Sequence, residues 1–357
     1  MSADFIVIGG GVAGLGAGAK LSELGQVVLL EGESALGYHS SGRSAALYEA
    51  QYGLPPTIAL NLASGDAHRA GGYLSPRGLM LLAGAEDAED FRTEAAEMHL
   101  DVIGIEEARR IVPILNPSAV AMAGYHEGAW DIDTDRMLQD YARSIRAAGG
   151  QVLTGHGVTA IRRTGAGWAV EAGGATFEGR VLVNAAGAWA DRIAALAGVA
   201  PIGIVPHRRS MARLPAPGGH DLRGWPMIMG VRESWYAKPD AGKLLVSPAE
   251  EDVVEPHDAW ADDMVLAEGL ARYEAMVSEP VTRLETSWAG LRSFAPDRTL
   301  VLGPDPALPQ FVWCAGQGGY GFQTSPAASR LLADLVAGRA PELDPDTVRA
   351  LTPERLR

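Results

Sequence analysis

The sequence predicts an α/β protein organised around a doubly wound, dinucleotide-binding sheet. Three features carry that expectation. A strand–turn–helix–strand pattern fills roughly the first 30 residues, a Gly9-x-Gly11-x-x-Gly14 turn lies inside it, and Glu31 stands where its second strand ends.

The elements follow in order. Asp4–Ile8 (DFIVI) is a short apolar run followed at once by glycines, as expected of a buried parallel strand. Leu15–Leu24 has helical spacing, with Leu15, Ala19 and Leu24 apolar and Gly25 as its stop. Gln26–Leu30 (QVVLL) is the second strand. Glu86–His99 reads as a helix charged on one face. Asp135–Ala148 reads as an amphipathic helix with Met137, Leu138, Tyr141 and Ile145 on its apolar side. Gln151–Arg163 and Gly167–Phe177 read as β-strands with Gly-rich turns, and Arg180–Ala186 as another buried strand. Between Pro201 and Arg292, strands and Pro turns alternate with a helix over Val265–Ser278. Phe311–Ala315 is a last buried strand. A turn over Gly316–Gly321 leads to a helix from about Ser325 to Ala337, with Pro326 in its first turn.

Composition bounds the function. At 357 residues the chain is long enough for about two domains. With 30 Lys and Arg against 44 Asp and Glu, the net charge is −14, which argues against nucleic acid and anionic membranes as partners. Mean hydropathy is +0.02, and no apolar run approaches the roughly 18 residues that span a bilayer, so no transmembrane segment is expected. Cys314 is the single cysteine, which excludes an intramolecular disulfide and a Cys-rich metal site. A cytoplasmic location is the simple expectation. The histidines show no HxxxH spacing, so no metal is expected, and no GxSxG supports a serine hydrolase.

In the glycine turn, Gly9 permits the tight bend, Gly11 lets a pyrophosphate approach the backbone, and Gly14 allows close helix–strand packing. The helix N-terminus offers its free N–H groups to phosphate. A carboxylate at Glu31, 20 residues after Gly11, can accept both ribose hydroxyls. This much does not separate NAD from FAD. A second small-residue turn follows the strand in Val181–Trp189 (VLVNAAGAW), where Ala185, Ala186 and Gly187 would let a cofactor lie against backbone.

The glycine turn, Gly37–Ala46 (GYHSSGRSAA), VLVNAAGAW, Trp288–Phe294 (WAGLRSF) and Ala315–Gly321 (AGQGGYG) occur in this order along nearly the whole chain. Together they resemble the FAD-dependent D-amino-acid oxidase (DAO) superfamily, and within it bacterial D-arginine dehydrogenase-like and glycine oxidase-like proteins. The resemblance implies an FAD-binding, Rossmann-like domain assembled from residues 1–75, 135–201 and 293–357. A mixed β-sheet substrate domain with flanking helices would comprise residues 76–134 and 202–292. FAD would rest its pyrophosphate on Gly9, Gly11, Val12, Ala13 and Gly14, its ribose on Glu31 and Gly32, and its adenine near Val158. Gly42, Arg43, Ser44, Ala45 and Ala46 would pass along the flavin, with Ala186, Gly187 and Trp189 near the cofactor. Gly318, Gly319, Tyr320, Gly321, Phe322, Gln323 and Thr324 would close over it. Some relatives tether flavin through a cysteine that is absent from Ala289–Pro296 here, so non-covalent FAD is expected.

The same resemblance implies hydride transfer from a substrate α-carbon to flavin N5. The products would be an imino acid, then a 2-oxo acid and ammonia, with oxygen or a quinone-type acceptor reoxidising the flavin. An amino-acid carboxylate needs a planar guanidinium. Arg292 holds the matching position, Tyr236 would add a hydroxyl, and Arg209 and Tyr52 are further pocket residues; Gly318 borders both substrate and flavin. His39 in the flavin segment reads as a backbone or phosphate partner rather than a catalyst. Where D-arginine-specific relatives carry a glutamate and a histidine, this chain has Leu79 and Leu47. That departure predicts a preference for apolar or small side chains over D-Arg, unless nearby Glu49 reaches the pocket. The alternatives are a glycine or N-methyl amino acid oxidase, a 2-hydroxy acid dehydrogenase of the same fold, and a flavin-binding protein without turnover.

Overall fold

The computed structural model describes residues 2–357. The glycine turn sits at the C-terminal edge of a parallel sheet. Its middle strands run in the order Gln151–Leu153, Val27–Leu30, Ser2–Ile8, Ala175–Asn184 and Phe311–Ala315, with Val301–Pro304 antiparallel on the outer edge. Ala175–Asn184 is shared along its length. Its first half closes an antiparallel meander with Gly167–Ala172 and Val158–Thr164, and its second half pairs with Phe311–Ala315.

The strands with Gly-rich turns expected over Gln151–Arg163 are Gln151–Leu153 and Val158–Thr164. Gly155, with φ +69°, turns the chain between them, and the Gly155 and His156 N–H groups donate to Glu33 and Glu31 carbonyls. The strand and Gly-rich turn expected over Gly167–Phe177 open a hairpin of Gly167–Ala172 with Ala175–Asn184. Gly173 and Gly174 both take positive φ, the requirement of a tight two-residue turn, and Arg180–Ala186 is mostly the tail of its second strand.

Helices Val12–Leu21, Thr134–Ala147 and Gly321–Ala337 cover one face of this sheet, joining Leu15, Leu21, Met137, Ile145 and Leu331 to Val7 and Leu29 in one core. On the other face Ile6, Ile8 and Leu182 pack with Trp168, Ile193 and Trp313. The last helix begins at Gly321, not near Ser325, so Pro326 sits in its second turn. Pro326 has no N–H to give Phe322. Side chains from helix Pro55–Gly71 brace this stretch: Ser64 donates to the Thr324 carbonyl and accepts the Ala327 N–H, and His68 lies 2.9 Å from the Gln323 carbonyl.

The second sheet is mixed. Its order is Asp252–Val253, Val205–Leu214, Lys243–Ser247, Tyr236–Asp240, Met227–Gly230, Leu79–Ala83, Met122–His126, Asp101–Ile103, and Thr286–Phe294 also pairs with Val205–Leu214. Helices Ile105–Ile111 and Asp263–Ala275 flank it, and Leu266 and Tyr273 of the latter join the core of its outer face. The inner face carries Leu79, Met211, Met229 and Tyr236 and meets Ala45, Leu47 and Trp288. Among the described residues, no helix is long and apolar enough to cross a membrane.

Candidate active site

A cavity of about 650 Å³ runs from the glycine turn to the inner face of the second sheet. Gly9, Gly11, Val12, Ala13, Glu31 and Gly32 line its first end, with Val158, Ala186, Gly187 and Trp189. Packing explains the glycines. A Cβ at Gly9 would lie 2.3 Å from the Ala185 carbonyl oxygen, and one at Gly14 would lie 1.9 Å from that of Gly9. A Cβ at Gly11 would meet only Ser41 Oγ, at 3.1 Å, so this position faces the cradle itself. The helix entered here has no side-chain cap, and the Val12 N–H donates to Ser41 Oγ. Glu31 is not a free carboxylate: it accepts the N–H groups of Gly10 at 2.6 Å and Glu33 at 2.8 Å. These bonds aim it across the mouth of the glycine turn and leave further lone pairs for a ligand.

The cavity's middle is bounded by Arg43, Ser44, Ala45, Ala46 and Leu47 on one side. Gly318, Gly319, Gly321, Phe322 and Gln323 bound the other. The Arg43 guanidinium ties this segment to the Tyr38, Ala259 and Ala289 carbonyls and to Asp258. Ala46 has φ +24°, an uncommon backbone for a residue with a side chain. His39 stacks on Trp189 at 4.7 Å and reaches Glu33 at 3.0 Å, so it organises the loop.

At the far end stand Tyr52, Leu79, Arg209, Tyr236 and Arg292. Thr286–Phe294 and Val205–Leu214 are antiparallel neighbours, which brings Arg292 and Arg209 to one region of the sheet. Gly319 covers Arg292 so closely that a Cβ there would lie 2.9 Å from its Cζ. Both arginines and Tyr52 converge on Glu233. Its Oε2 is 3.3 Å from Arg209 Nη1 and 3.4 Å from Arg292 Nη1, and its Oε1 accepts the Tyr52 hydroxyl. Burial pushes the Glu233 carboxyl up, but Arg292, Arg209 and their hydrogen bonds outweigh it and leave its pKa lowered. Burial and the Glu233 charge both push the Tyr52 phenol far up, so it acts as a donor.

Four residues expected at the cavity lie off its wall. Gly14 is consumed by helix–strand packing. Gly42 abuts the Gly37 carbonyl, where a Cβ would come within 2.5 Å. Thr324 is fully buried and donates to the Tyr320 carbonyl at 2.8 Å. Tyr320 faces a separate vestibule and lies beside Tyr52, ring centroids 5.2 Å apart. Glu233, Met227 and Met229 border the cavity without having been expected there. Period-2 alternation could have flagged the methionines; nothing local marks Glu233.

A family model described as DAO, FAD dependent oxidoreductase, matches residues 4–335. The chain belongs to this family. Among similar members, FAD-dependent oxidoreductase domain-containing protein 1 of Bos taurus is 26% identical over 93% of this chain and 81% of its own. Glycine oxidase of Pseudomonas aeruginosa is 30% identical over 97% of this chain and 98% of its own. The crystal structure of glycine oxidase from Geobacillus kaustophilus superimposes with a TM-score of 0.82 at 24% identity, covering 97% of this chain and 98% of that one.

The DAO residues present fit the family's cofactor. Gly11 leaves an open cradle at a helix N-terminus, Glu31 stands beside it, and the buried Gln323 Nε2 on the cavity's middle wall has no hydrogen-bond partner of its own. Cys314 packs in the sheet core at 3% exposure, and burial pushes its thiol up to about 12. A buried, protonated thiol off the cavity wall is no site for a flavin tether. Acid precipitation should therefore release all the yellow colour to the supernatant; a pellet that stays yellow would show a covalent bond.

Proposed function

We propose that this DAO member oxidises α-amino acids, taking D-amino acids and favouring apolar or small side chains over D-arginine. The observation that carries this reading is the convergence of Arg292, Arg209 and Tyr52 on a single carboxylate position beside an apolar wall. Bound FAD would supply the two-electron oxidation by accepting a hydride from the substrate α-carbon. The chain's own residues bind, orient and exclude water. Arg292, clamped under Gly319, would fix the substrate carboxylate; Tyr236, 5% exposed on strand Tyr236–Asp240 of the same sheet, would add its hydroxyl. The substrate ammonium gives its proton to solvent, so no side-chain base is required. Loss of that proton and the hydride leaves an imino acid, which water converts to a 2-oxo acid and ammonia. Oxygen or a quinone-type acceptor would then take the electrons from the cofactor, in a cytoplasmic setting that suits a lone cysteine.

The side-chain end supports the substrate preference. Leu79 is 1% exposed and lies with Leu47, Met227 and Met229 along the wall. Glu49 does border the cavity, but it is already engaged: it is 4% exposed, accepts the Gln51 N–H and lies 2.8 Å from His126 Nε2. A guanidinium set against these leucines would lose its hydration with no carboxylate but the already engaged Glu49 nearby, at a cost of up to several kcal/mol. An apolar side chain would gain roughly 25 cal/mol per Å² buried. Glycine is the second reading, favoured by the 30% identity to a glycine oxidase.

Anaerobic mixing of the holoenzyme with D-Ala, D-Leu, D-Phe, D-Arg, glycine and D-lactate tests the proposal. Bleaching of the flavin band by D-Leu or D-Phe, faster than by D-Arg, is the expected result. The highest kcat/KM for D-Arg would refute the pocket argument, and no bleaching by any amino acid would refute the activity. Leu79→Glu should raise the ratio of D-Arg to D-Leu turnover, because it places a carboxylate where the guanidinium lacks one.

A further inference from the structure

The carboxylate position already holds a carboxylate, and it belongs to the protein. Glu233 uses the Tyr52 hydroxyl and the Nη1 groups of Arg209 and Arg292. Those are the donors that a substrate carboxylate would need. Glu251 takes the other Arg209 nitrogen at 3.1 Å and is itself paired with Arg298 from the solvent side at 2.8 Å. The cage thus has no idle donor on Tyr52, and each of the two arginine Nη1 groups faces Glu233.

Glu233 is also built to leave. It borders two spaces, as Tyr52, Arg209 and Arg292 also do: the main cavity and a polar vestibule of about 370 Å³ lined further by Arg232, Glu251, Arg298 and Tyr320. Its turn holds two consecutive non-glycine residues at positive φ, Arg232 at +57° and Glu233 at +47°. Such a backbone persists only when its surroundings over-determine it. Two sets of contacts do so from opposite sides. Arg232 is tied outward to Asp87 and Asp90, with its N–H on Glu94 at 2.6 Å, while Glu233 is tied inward to the cage. Releasing the inward set leaves the outward anchor intact and lets the strained residue relax toward the vestibule.

We propose that Glu233 is a resident occupant of the substrate-carboxylate cage, displaced into the vestibule whenever a carboxylate binds. The proposal rests on the amino-acid reading above. It makes Glu233 a determinant of affinity for every carboxylate ligand, because the apparent Kd equals the intrinsic Kd divided by the fraction of molecules with an open cage.

The test is benzoate, a carboxylate with no oxidisable α-hydrogen, titrated into the holoenzyme and read from the perturbation of the flavin spectrum. Glu233→Gln keeps the shape and removes the charge. Glu233→Gly removes the side chain and suits the positive φ. Both should bind benzoate at least about tenfold more tightly than the parent, the change expected if the cage is open in a tenth of molecules or fewer. Arg292→Met in the Glu233→Gln background should reverse the gain. Unchanged or weaker benzoate binding in both Glu233 variants would overturn the proposal and make Glu233 a brace that orients the arginines. Benzoate binding that ignores Arg292→Met in the parent would instead refute the carboxylate site itself.

Discussion

Arg292→Met should lower kcat/KM for the best amino acid by at least about 100-fold, chiefly through a higher KM. The guanidinium is mostly buried, with 18% of its side chain exposed, and the flexible methionine fills similar space without a donor. A charged hydrogen-bonded pair broken in such a site costs roughly 2 to 5 kcal/mol, which brackets that rate loss. Part of the loss is the stranded partner. Glu233 would keep Arg209 and Tyr52 but lose one of its two cations. Flavin content should stay close to that of the parent, because Arg292 lies at the opposite end of the cavity from the glycine turn. Near-normal steady-state kinetics in this variant would mean that the carboxylate binds elsewhere.

Gly11→Glu should abolish FAD binding while leaving the protein folded. A Cβ at Gly11 meets only Ser41 Oγ, at 3.1 Å, so the new side chain has room to project into the cradle. There it brings negative charge to the N-terminus of Val12–Leu21, where the N–H groups would otherwise meet phosphate. The purified variant should be colourless, with a far-ultraviolet dichroism spectrum like that of parent apoprotein. The same substitution at Gly14 would be a poor test, since any side chain there collides with the Gly9 carbonyl and threatens the fold. A Gly11→Glu protein that retains stoichiometric flavin would place the pyrophosphate off this turn.

The first 30 residues, the strand Phe311–Ala315 and the helix beginning at Thr134 were legible because each buries an uninterrupted apolar run or stripe. Helix Pro55–Gly71 was not. Its buried positions include Thr57, Asn61, Ser64 and His68, which form hydrogen bonds or pack against the last helix, so no apolar period marks it. The start of the last helix was misplaced for a related reason. Gly321 and Pro326 disfavour helix locally, and packing against Val12–Leu21 and the brace from Ser64 and His68 override them. The Gly-rich turns of Gln151–Phe177 are legible as turns, and Gly155, Gly173 and Gly174 are the residues that make them, though the sequence does not say where each strand stops. In the site, resemblance to relatives pointed to Arg292, Tyr236, Arg209 and Tyr52, all of which line one cavity. Glu233 is invisible in the sequence because a carboxylate held by three residues distant in sequence leaves no local pattern.

The intimate seating of the last helix on the first has a bearing on how the molecule is made. A Cβ at Gly16 would lie 2.6 Å from Ser325 Oγ and 2.4 Å from Ser329 Oγ, so the last helix sits hard against Val12–Leu21 at this point. The two helices are separated by about 300 residues of chain. At ribosomal rates of roughly 5 to 20 residues per second, the nascent glycine turn waits on the order of 15 to 60 s for its partner. During that interval Leu15 and Leu21 have no final cover, and the wall formed by Gly318–Gln323 does not yet exist. A cofactor that needs this wall would load only onto the finished polypeptide. A nascent or proteolytically shortened chain that stops before Ser325 is a substrate for chaperones and proteases rather than a reservoir of flavin.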